Sequence, residues 1–283
     1  MASVQVPGTT AQRPRGHGGG AAFGWARDWA EIQERTLVPL YQAVYERLEV
    51  GPATSLLGLG CRSGLALLLA AARGAQVAGE EPEAELRELA RARGLLVSAG
   101  GYEAPGARTG PALPRSAHSL VTVFDRLPGS ADPARLVAEA ARRTLRGGQV
   151  VLAVWGPPER CESAPVLEVA QRRGHAVTPF ALSGPGVLEE LAVRAGLRPA
   201  GGGLVSCPFA YPDLESAVRG MLATGLYRSA VEDSGAALVA KELEESLQPY
   251  VAAAADAAAD GPGAAGPVRM ANVFRYLVAE QPG

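Results

Sequence analysis

The sequence is poor in cysteine and lysine and has no excess of one charge. Its three cysteines, Cys61, Cys161 and Cys207, form no C-x-x-C pair, so neither a zinc site nor a disulfide framework is expected. Lys241 is the only lysine, and 27 basic residues stand against 29 acidic ones, for a net charge of -2. This balance argues against the basic surface of a nucleic-acid-binding protein, and no metal site is predicted.

Long hydrophobic runs are also missing. No stretch of about 18 consecutive apolar residues occurs, so no transmembrane helix is predicted. The N-terminus has no basic segment followed by an apolar core, so no secretory signal is expected. The absence of cysteine pairs fits reduced thiols in a cytoplasmic protein. Residues 1–22 are rich in Gly, Pro, Thr and Arg and are predicted to be a disordered tail.

Apolar residues are abundant, at 47% of the chain, which is enough for a substantial core. Their spacing alternates between short buried strands and amphipathic helices. Helices are predicted over 25–48, 65–73, 83–93, 133–145 and 185–195, with two or three more between 214 and 259. Strands are predicted over 55–60, 76–79, 95–97, 120–124, 149–155, 204–208 and 272–279. The order indicates an α/β fold with a doubly wound, mostly parallel seven-stranded sheet.

Chemistry is expected at the turn that follows the first strand. Gly60 and Gly64 flank this turn, and glycines there let backbone N–H groups approach a ligand in front of a helix. Glu81 ends the second strand about 20 residues later, where a carboxylate can accept hydrogen bonds from ribose hydroxyls. Turn, helix, strand and acid in this order predict a nucleoside-containing ligand.

These segments resemble the motifs of class I S-adenosylmethionine-dependent methyltransferases. The stretch 56–64 is similar to the family's first motif, which includes Cys61, and 79–82 is similar to its acidic second motif. The stretches 121–133 and 145–156 resemble its fourth- and fifth-strand segments, and 179–182 and 272–279 resemble a UbiE-like actinobacterial subgroup. The resemblance implies S-adenosylmethionine as the cofactor, with Gly60, Cys61, Gly64 and Glu81 as its binding residues.

The resemblance also implies a division of the chain. Residues 23–283 would form one methyltransferase-like domain, with a helical lid over 23–50 and a cofactor-binding half over 51–156. A substrate half over 157–283 would contain a helical cap inserted at about 213–260. Tyr41 and Tyr45 lie on the lid and are candidate pocket residues.

Several positions depart from the family pattern. Gly58 stands where the family has an acid that fixes the amino-acid end of the cofactor, and Arg62 stands where it has a glycine. A side chain at Arg62 would enter the methionine part of the pocket, with its positive charge unfavourable near a sulfonium, or would bind a substrate group. Asp125 and His118, next to the fourth strand, are candidate catalytic bases.

Three functions remain open at this level. The first is methyl transfer from S-adenosylmethionine to a small organic acceptor in natural-product metabolism. The second keeps the fold but catalyses cyclisation, isomerisation or elimination without methyl transfer, with Arg62 and Asp125 acting on the substrate. The third is a non-catalytic partner of an active enzyme. A small-molecule substrate is the expected ligand in the first two, and the Ala-rich helices permit a homodimer.

Overall fold

The computed structural model describes residues 24–100, 117–173, 178–252 and 266–283. The predicted tail 1–22 and most of the irregular stretch before the fourth strand lie outside the described residues. The strands, in chain order, are β1 (Ser55–Leu59), β2 (Gln76–Glu80), β3 (Val97–Ser98), β4 (His118–Val123), β5 (Thr144–Trp155), β6 (Arg198–Ser206), β7 (Phe209–Tyr211), β8 (Val268–Met270) and β9 (Val273–Glu280).

Seven of these strands form one sheet in the order β3-β2-β1-β4-β5-β9-β6. The strands β3, β2, β1, β4 and β5 run parallel to their neighbours, whereas β9 is antiparallel to both β5 and β6. The strand order reverses between β1 and β4, which is the place where doubly wound sheets bind ligands. The prediction of a mostly parallel seven-stranded sheet is therefore confirmed.

Helices cover both faces of the sheet. They are α1 (Trp25–Asp28), α2 (Val38–Arg47), α3 (Leu65–Ala71), α4 (Ala84–Ala92), α5 (Pro133–Arg142), α6 (Ala164–Arg173), α7 (Val187–Arg194), α8 (Leu214–Ala223), α9 (Arg228–Ser234) and α10 (Ala236–Leu247). Short 3-10 turns lie at Pro158–Arg160 and Gln248–Tyr250. Along β5, Val151 and Ala153 join one apolar cluster and Val150, Leu152 and Val154 the other, as the period of two in a strand requires. The continuous apolar run of β5 thus reflects a strand covered on both sides.

Local signals explain two helix starts. Pro133 begins α5, and the Asp132 carboxylate accepts a hydrogen bond from the backbone N–H of Arg135 at 2.9 Å. Asp213 does the same for the N–H of Ser216 at 2.7 Å at the start of α8. Both are N-caps that satisfy a backbone donor that the helix itself leaves unpaired.

The structure corrects some predicted boundaries. The single helix expected over 25–48 is interrupted by a π-helical turn, Trp29–Gln33, and a 3-10 turn, Glu34–Leu37. Strand β5 begins five residues before the predicted start, because its first residue, Thr144, already pairs with His118. Gly147, with a φ of 74°, therefore lies within the strand and does not end it. The predictions omitted α6 and the separate two-stranded sheet of β7 and β8. The apolar pattern of α6, with Val166, Leu167, Val169 and Ala170 on its buried side, was present in the sequence, whereas β7 and β8 have only three residues each.

Within the described residues, no helix is both long and apolar enough to cross a bilayer. The His, Cys, Asp and Glu side chains in the same part of the chain form no group of three that could hold a metal ion.

Candidate functional site at the turn after the first strand

The turn between β1 and α3 has an unusual backbone. Gly60 and Gly64 adopt left-handed conformations with φ of 65° and 88°, as expected for glycines that shape a tight turn. Arg62, between them, also has a positive φ, of 53°. This conformation costs a non-glycine residue about 1 kcal/mol, so the surrounding contacts must hold Arg62 in place.

The backbone donors of this turn are bonded within the chain. The N–H groups of Gly60 and Cys61 donate to the Glu80 carbonyl at 2.7 and 3.1 Å. The N–H of Arg62 donates to Oε2 of Glu81 at 2.8 Å. The N–H of Leu65, at the start of α3, donates to a carboxylate from the N-terminal segment at 3.1 Å. These backbone N–H groups, which would otherwise be available to a ligand, therefore already have acceptors within the chain.

That last carboxylate belongs to Glu34. Its side chain is buried, with 1% of the residue exposed, and it also accepts from Oγ of Ser63 at 2.6 Å and Nη1 of Arg93 at 3.0 Å. Burial raises the pKa of the Glu34 carboxyl, and the bonds from Ser63 and Arg93 oppose that rise. Glu34 was not among the predicted site residues. Its one signal was an acidic residue between Ile32 and Leu37, two apolar positions of the first helix.

The side chain of Arg62 links three parts of the molecule. Its Nε donates to Oδ2 of Asp125, beyond the end of β4, at 2.7 Å, and its Nη2 donates to the carbonyl of Thr224, after α8, at 3.2 Å. Its guanidinium also lies over the ring of Trp29, 4.8 Å from the ring centre. The two charged side chains are only 8% and 11% exposed. Arg62 thus points into the pocket.

Glu81 is fully buried at the end of β2. Besides the N–H of Arg62, it accepts the N–H of Glu83 at its Oε1, at 3.0 Å. Burial raises the pKa of Glu81, whereas the charges of Arg62 and Arg126 lower it. Each oxygen of the predicted ribose-binding carboxylate therefore accepts a backbone N–H of the chain, and the residue has no exposed surface.

Arg126 closes the turn from the other side. A Cβ atom added to Gly60 would lie 2.0 Å from Cγ of Arg126, so the arginine side chain packs directly over this glycine. Next to it, a void of about 20 Å³ remains, lined by Tyr41, Gly58 and Cys61 among others. This is room for about one water molecule.

A much larger cavity, of about 440 Å³, opens on the other side of the Arg62–Asp125 ion pair. Its apolar residues come from the segment before α2, from α5, β5, β7 and β9, and from the turn after α8. They are Trp29, Leu37, Leu136, Trp155, Phe209, Leu226 and Phe274. The ring of Trp155 lies 4.6 Å from that of Phe274 and 5.6 Å from that of Phe209, centre to centre. The cavity size falls in the range of about 300–1,000 Å³ typical of small-molecule sites.

The other predicted site residues lie away from this cavity. Tyr41 and Tyr45 are buried and pack on Phe124, with ring centres 4.8 and 6.0 Å apart, and Oη of Tyr45 donates to the Ala66 carbonyl. Cys61 packs against Gly79, and burial raises its pKa well above the usual value. These three residues form the floor and core of the turn.

His118 is not brought to the site. It begins β4, at the opposite end of that strand from Asp125, and its Nδ1 lies 2.9 Å from Oγ of Ser55, the first residue of β1. The two candidate bases are therefore not neighbours, and only Asp125 lines the cavity.

Solved structures of several proteins share this architecture. A candidate methyltransferase from Bacillus halodurans C-125 matches with a TM-score of 0.54 at 14% identity, over 86% of this chain and 99% of that chain. The [4+2]-cyclase SpnF matches with a TM-score of 0.50 at 18% identity, over 86% and 80%. The third match, in a complex of the Haloferax volcanii Trm112 methyltransferase activator with a candidate methyltransferase, has a TM-score of 0.54 at 17% identity, over 93% and 98%.

The chain has the class I methyltransferase fold. No protein-family model matches the sequence, and no curated protein sequence matches it. The similarity is therefore one of structure, and the UbiE-like assignment stays a prediction.

The turn of this methyltransferase fold does not fit S-adenosylmethionine. The donors that would meet the amino-acid end of the cofactor are bonded to Glu34, Glu80 and Glu81. The buried guanidinium of Arg62 would repel a sulfonium, and the remaining void has room for about one water. In this arrangement the side chains of Arg62 and Arg126 cover the turn.

Proposed function

We propose that this chain is a small-molecule enzyme on the methyltransferase fold whose reaction is an isomerisation, cyclisation or elimination, without methyl transfer. One observation carries the proposal. The Arg62–Asp125 ion pair fills the turn where the cofactor would lie, and the same pair lines a cavity of about 440 Å³.

The pair suits reactions that move a proton next to a carbonyl. The guanidinium of Arg62 would donate hydrogen bonds to the carbonyl oxygen and stabilise the negative charge that develops there. The Asp125 carboxylate would accept a proton from the adjacent carbon and return it to another carbon of the same molecule. Reactant and product then have the same atoms, so the step needs no co-reactant.

The comparison with SpnF supports this class of reaction, because a protein named as a [4+2]-cyclase shares the fold. A fold alone does not determine chemistry. The groups at the turn therefore carry the proposal, and SpnF shows that cyclase chemistry is compatible with the architecture.

Methyl transfer is the second candidate, and a specific observation favours it. Gly60, Gly64 and Glu81 keep the backbone shape and the acid of a cofactor site. This function would require Arg62 and Arg126 to leave the turn together when the cofactor enters. The third hypothesis, a role as a protein partner, draws on the Trm112 complex and would be favoured by co-purification with an enzyme.

Calorimetric titration with S-adenosylmethionine and S-adenosylhomocysteine tests the proposal. We expect no binding to the wild-type chain up to millimolar concentration. The double variant Arg62→Gly with Arg126→Ala removes both side chains that cover the turn and is expected to bind these ligands more tightly. Binding by this variant also shows that the titration can detect the complex. The matched control is Arg146→Gly with Arg142→Ala, which changes exposed arginines at the other end of the sheet. Micromolar binding by the wild type would overturn the proposal and restore methyl transfer.

A further inference from the structure

We propose that the cavity binds an uncharged, largely apolar and unsaturated molecule that carries a carbonyl group. This inference names the substrate class and rests on the proposed function. It follows from three properties of the cavity wall: its charge balance, its aromatic rings and its hydrogen-bond donors.

The charges that line the cavity are equal in number. The cationic side chains are Arg62, Arg126, Arg135 and Arg228, and the anionic ones are Glu83, Asp125, Asp132 and Glu232. Two opposite pairs are in contact, Arg62 with Asp125 at 2.7 Å and Arg228 with Glu83 at 2.9 Å. A charged ligand would lose its hydration without meeting a net opposite charge, which is unfavourable. The wall therefore favours a neutral ligand.

The walls favour a flat, unsaturated body. Trp155, Phe209 and Phe274 form a cluster of rings on one side, and Trp29 faces the cavity from the lid. Aromatic rings bind other flat, polarisable groups by offset stacking and edge contacts. A saturated, hydroxyl-rich molecule would leave its own polar groups unpaired against these rings.

Donors at the ion pair would recognise a carbonyl oxygen. A guanidinium carries five N–H donors, and the bonds of Arg62 to Asp125 and Thr224 account for two of them. Because Arg62 lines the cavity, its remaining N–H groups are the donors that a carbonyl oxygen bound there would meet.

Three naphthalene probes that share one ring system test the charge preference. They are 2-acetylnaphthalene, which is a neutral ketone, 2-naphthoate, which is an anion, and 2-naphthylmethylammonium, which is a cation. Calorimetry with the wild-type chain should show saturable binding of the ketone, at least tenfold tighter than either ion. Tighter binding of an ion, or no binding of any probe, would overturn the inference.

Variants of the ion pair should change the preference in opposite directions. Asp125→Asn leaves an excess positive charge and should favour 2-naphthoate, whereas Arg62→Gln leaves an excess negative charge and should favour the ammonium probe. Trp29→Phe should weaken ketone binding severalfold, and Arg146→Gln, at the other end of the sheet, should leave all three probes unchanged. Circular dichroism checks folding, and if a variant unfolds the wild-type ranking alone decides.

The cofactor titration tests the proposed reaction and the probe titration tests the ligand class, so each can be overturned without the other. Tight S-adenosylhomocysteine binding together with ketone preference would overturn the proposed reaction and support the ligand class. No cofactor binding together with a preference for an ionic probe would support the loss of methyl transfer and overturn the ligand class.

Discussion

The two sides of the Arg62–Asp125 pair differ although they lie at the ends of neighbouring strands. On the side of β1 and β2, buried polar groups from distant segments meet and leave a void of about 20 Å³. On the side of β4 and β5, aromatic rings hold open a cavity of about 440 Å³. The difference separates a turn whose backbone donors are already bonded within the chain from a cavity with room for a small molecule.

The two sides also rely on different forces. The closed side is held by hydrogen bonds to carboxylates, each of which would be costly to leave unmade in a buried place. The open side is held by the packing of large rings, whose contribution scales with the apolar area they bury. Substitutions on each side should therefore differ in size, and the following predictions run from the largest effect to the smallest.

The largest effect is expected for Trp155→Ala on the open side. Removing this ring from its contacts with Phe209 and Phe274 should lower the free energy of unfolding by about 3–5 kcal/mol, as for other buried aromatics. Urea denaturation measures the loss. Trp25→Ala, at a half-buried position, is the control and should cost clearly less. Equal costs would show that the ring cluster does not hold the cavity open.

A smaller loss is expected for Glu34→Gln on the closed side. The amide keeps one acceptor but loses the charge that Ser63, Leu65 and Arg93 share. The free energy of unfolding should fall by about 2 kcal/mol, the range for hydrogen bonds to charged groups. Glu46→Gln, on an exposed part of α2, should be close to neutral. An unchanged free energy of unfolding for Glu34→Gln would show that the Glu34 carboxylate does not stabilise the closed side.

Gly60→Ala measures how tightly Arg126 covers the turn. Gly147→Ala is a matched control, because Gly147 has a similar φ of 74° but no atom within 4 Å of the added methyl group. Gly60→Ala should therefore cost about 1 kcal/mol more than Gly147→Ala, through crowding alone. In an Arg126→Ala background the difference should shrink, because only Cβ of residue 126, 3.0 Å away, remains close to the added methyl group. A difference of unchanged size would mean that another contact fills the turn.

The smallest effect concerns pH and the far end of the sheet. Burial and the neighbouring Arg143 lower the pKa of His118 below its ordinary value of 6.5. The unfolded chain then binds the proton first as pH falls. The stability contributed by neutral His118 is present above pH 6.5 and is lost as pH falls below it. His118→Asn should make the loss of stability between neutral and mildly acidic pH less steep. An unchanged slope in thermal melts would contradict this.

The sheet could be predicted because its signals are local. The apolar run of β5 and the turn between β1 and α3 are each contained in a dozen residues. The sequence also identifies Arg62 as unusual, because it stands where the resembled motif has a glycine. Its partners were not predictable, because Trp29 lies in the segment before α2 and Thr224 follows α8, and no periodicity encodes such long-range pairs. The same holds for Glu34.

The identity of the bases was only partly predictable. Asp125 and His118 flank the same strand, so the predicted strand already places them at its opposite ends. Doubly wound sheets bind ligands at the carboxyl ends of their strands, which favours Asp125. In the structure only Asp125 lines the cavity.

Hydrogen exchange of the turn amides tests the central claim most directly. The claim is that the N–H groups of Cys61, Arg62 and Leu65 are bonded within the chain and closed to a cofactor. Their exchange should be slow without ligand, because opening requires breaking buried bonds, and should not change with S-adenosylhomocysteine at millimolar concentration. Fast exchange that becomes slow when S-adenosylhomocysteine is added would show that the turn still binds the cofactor, and would contradict the account.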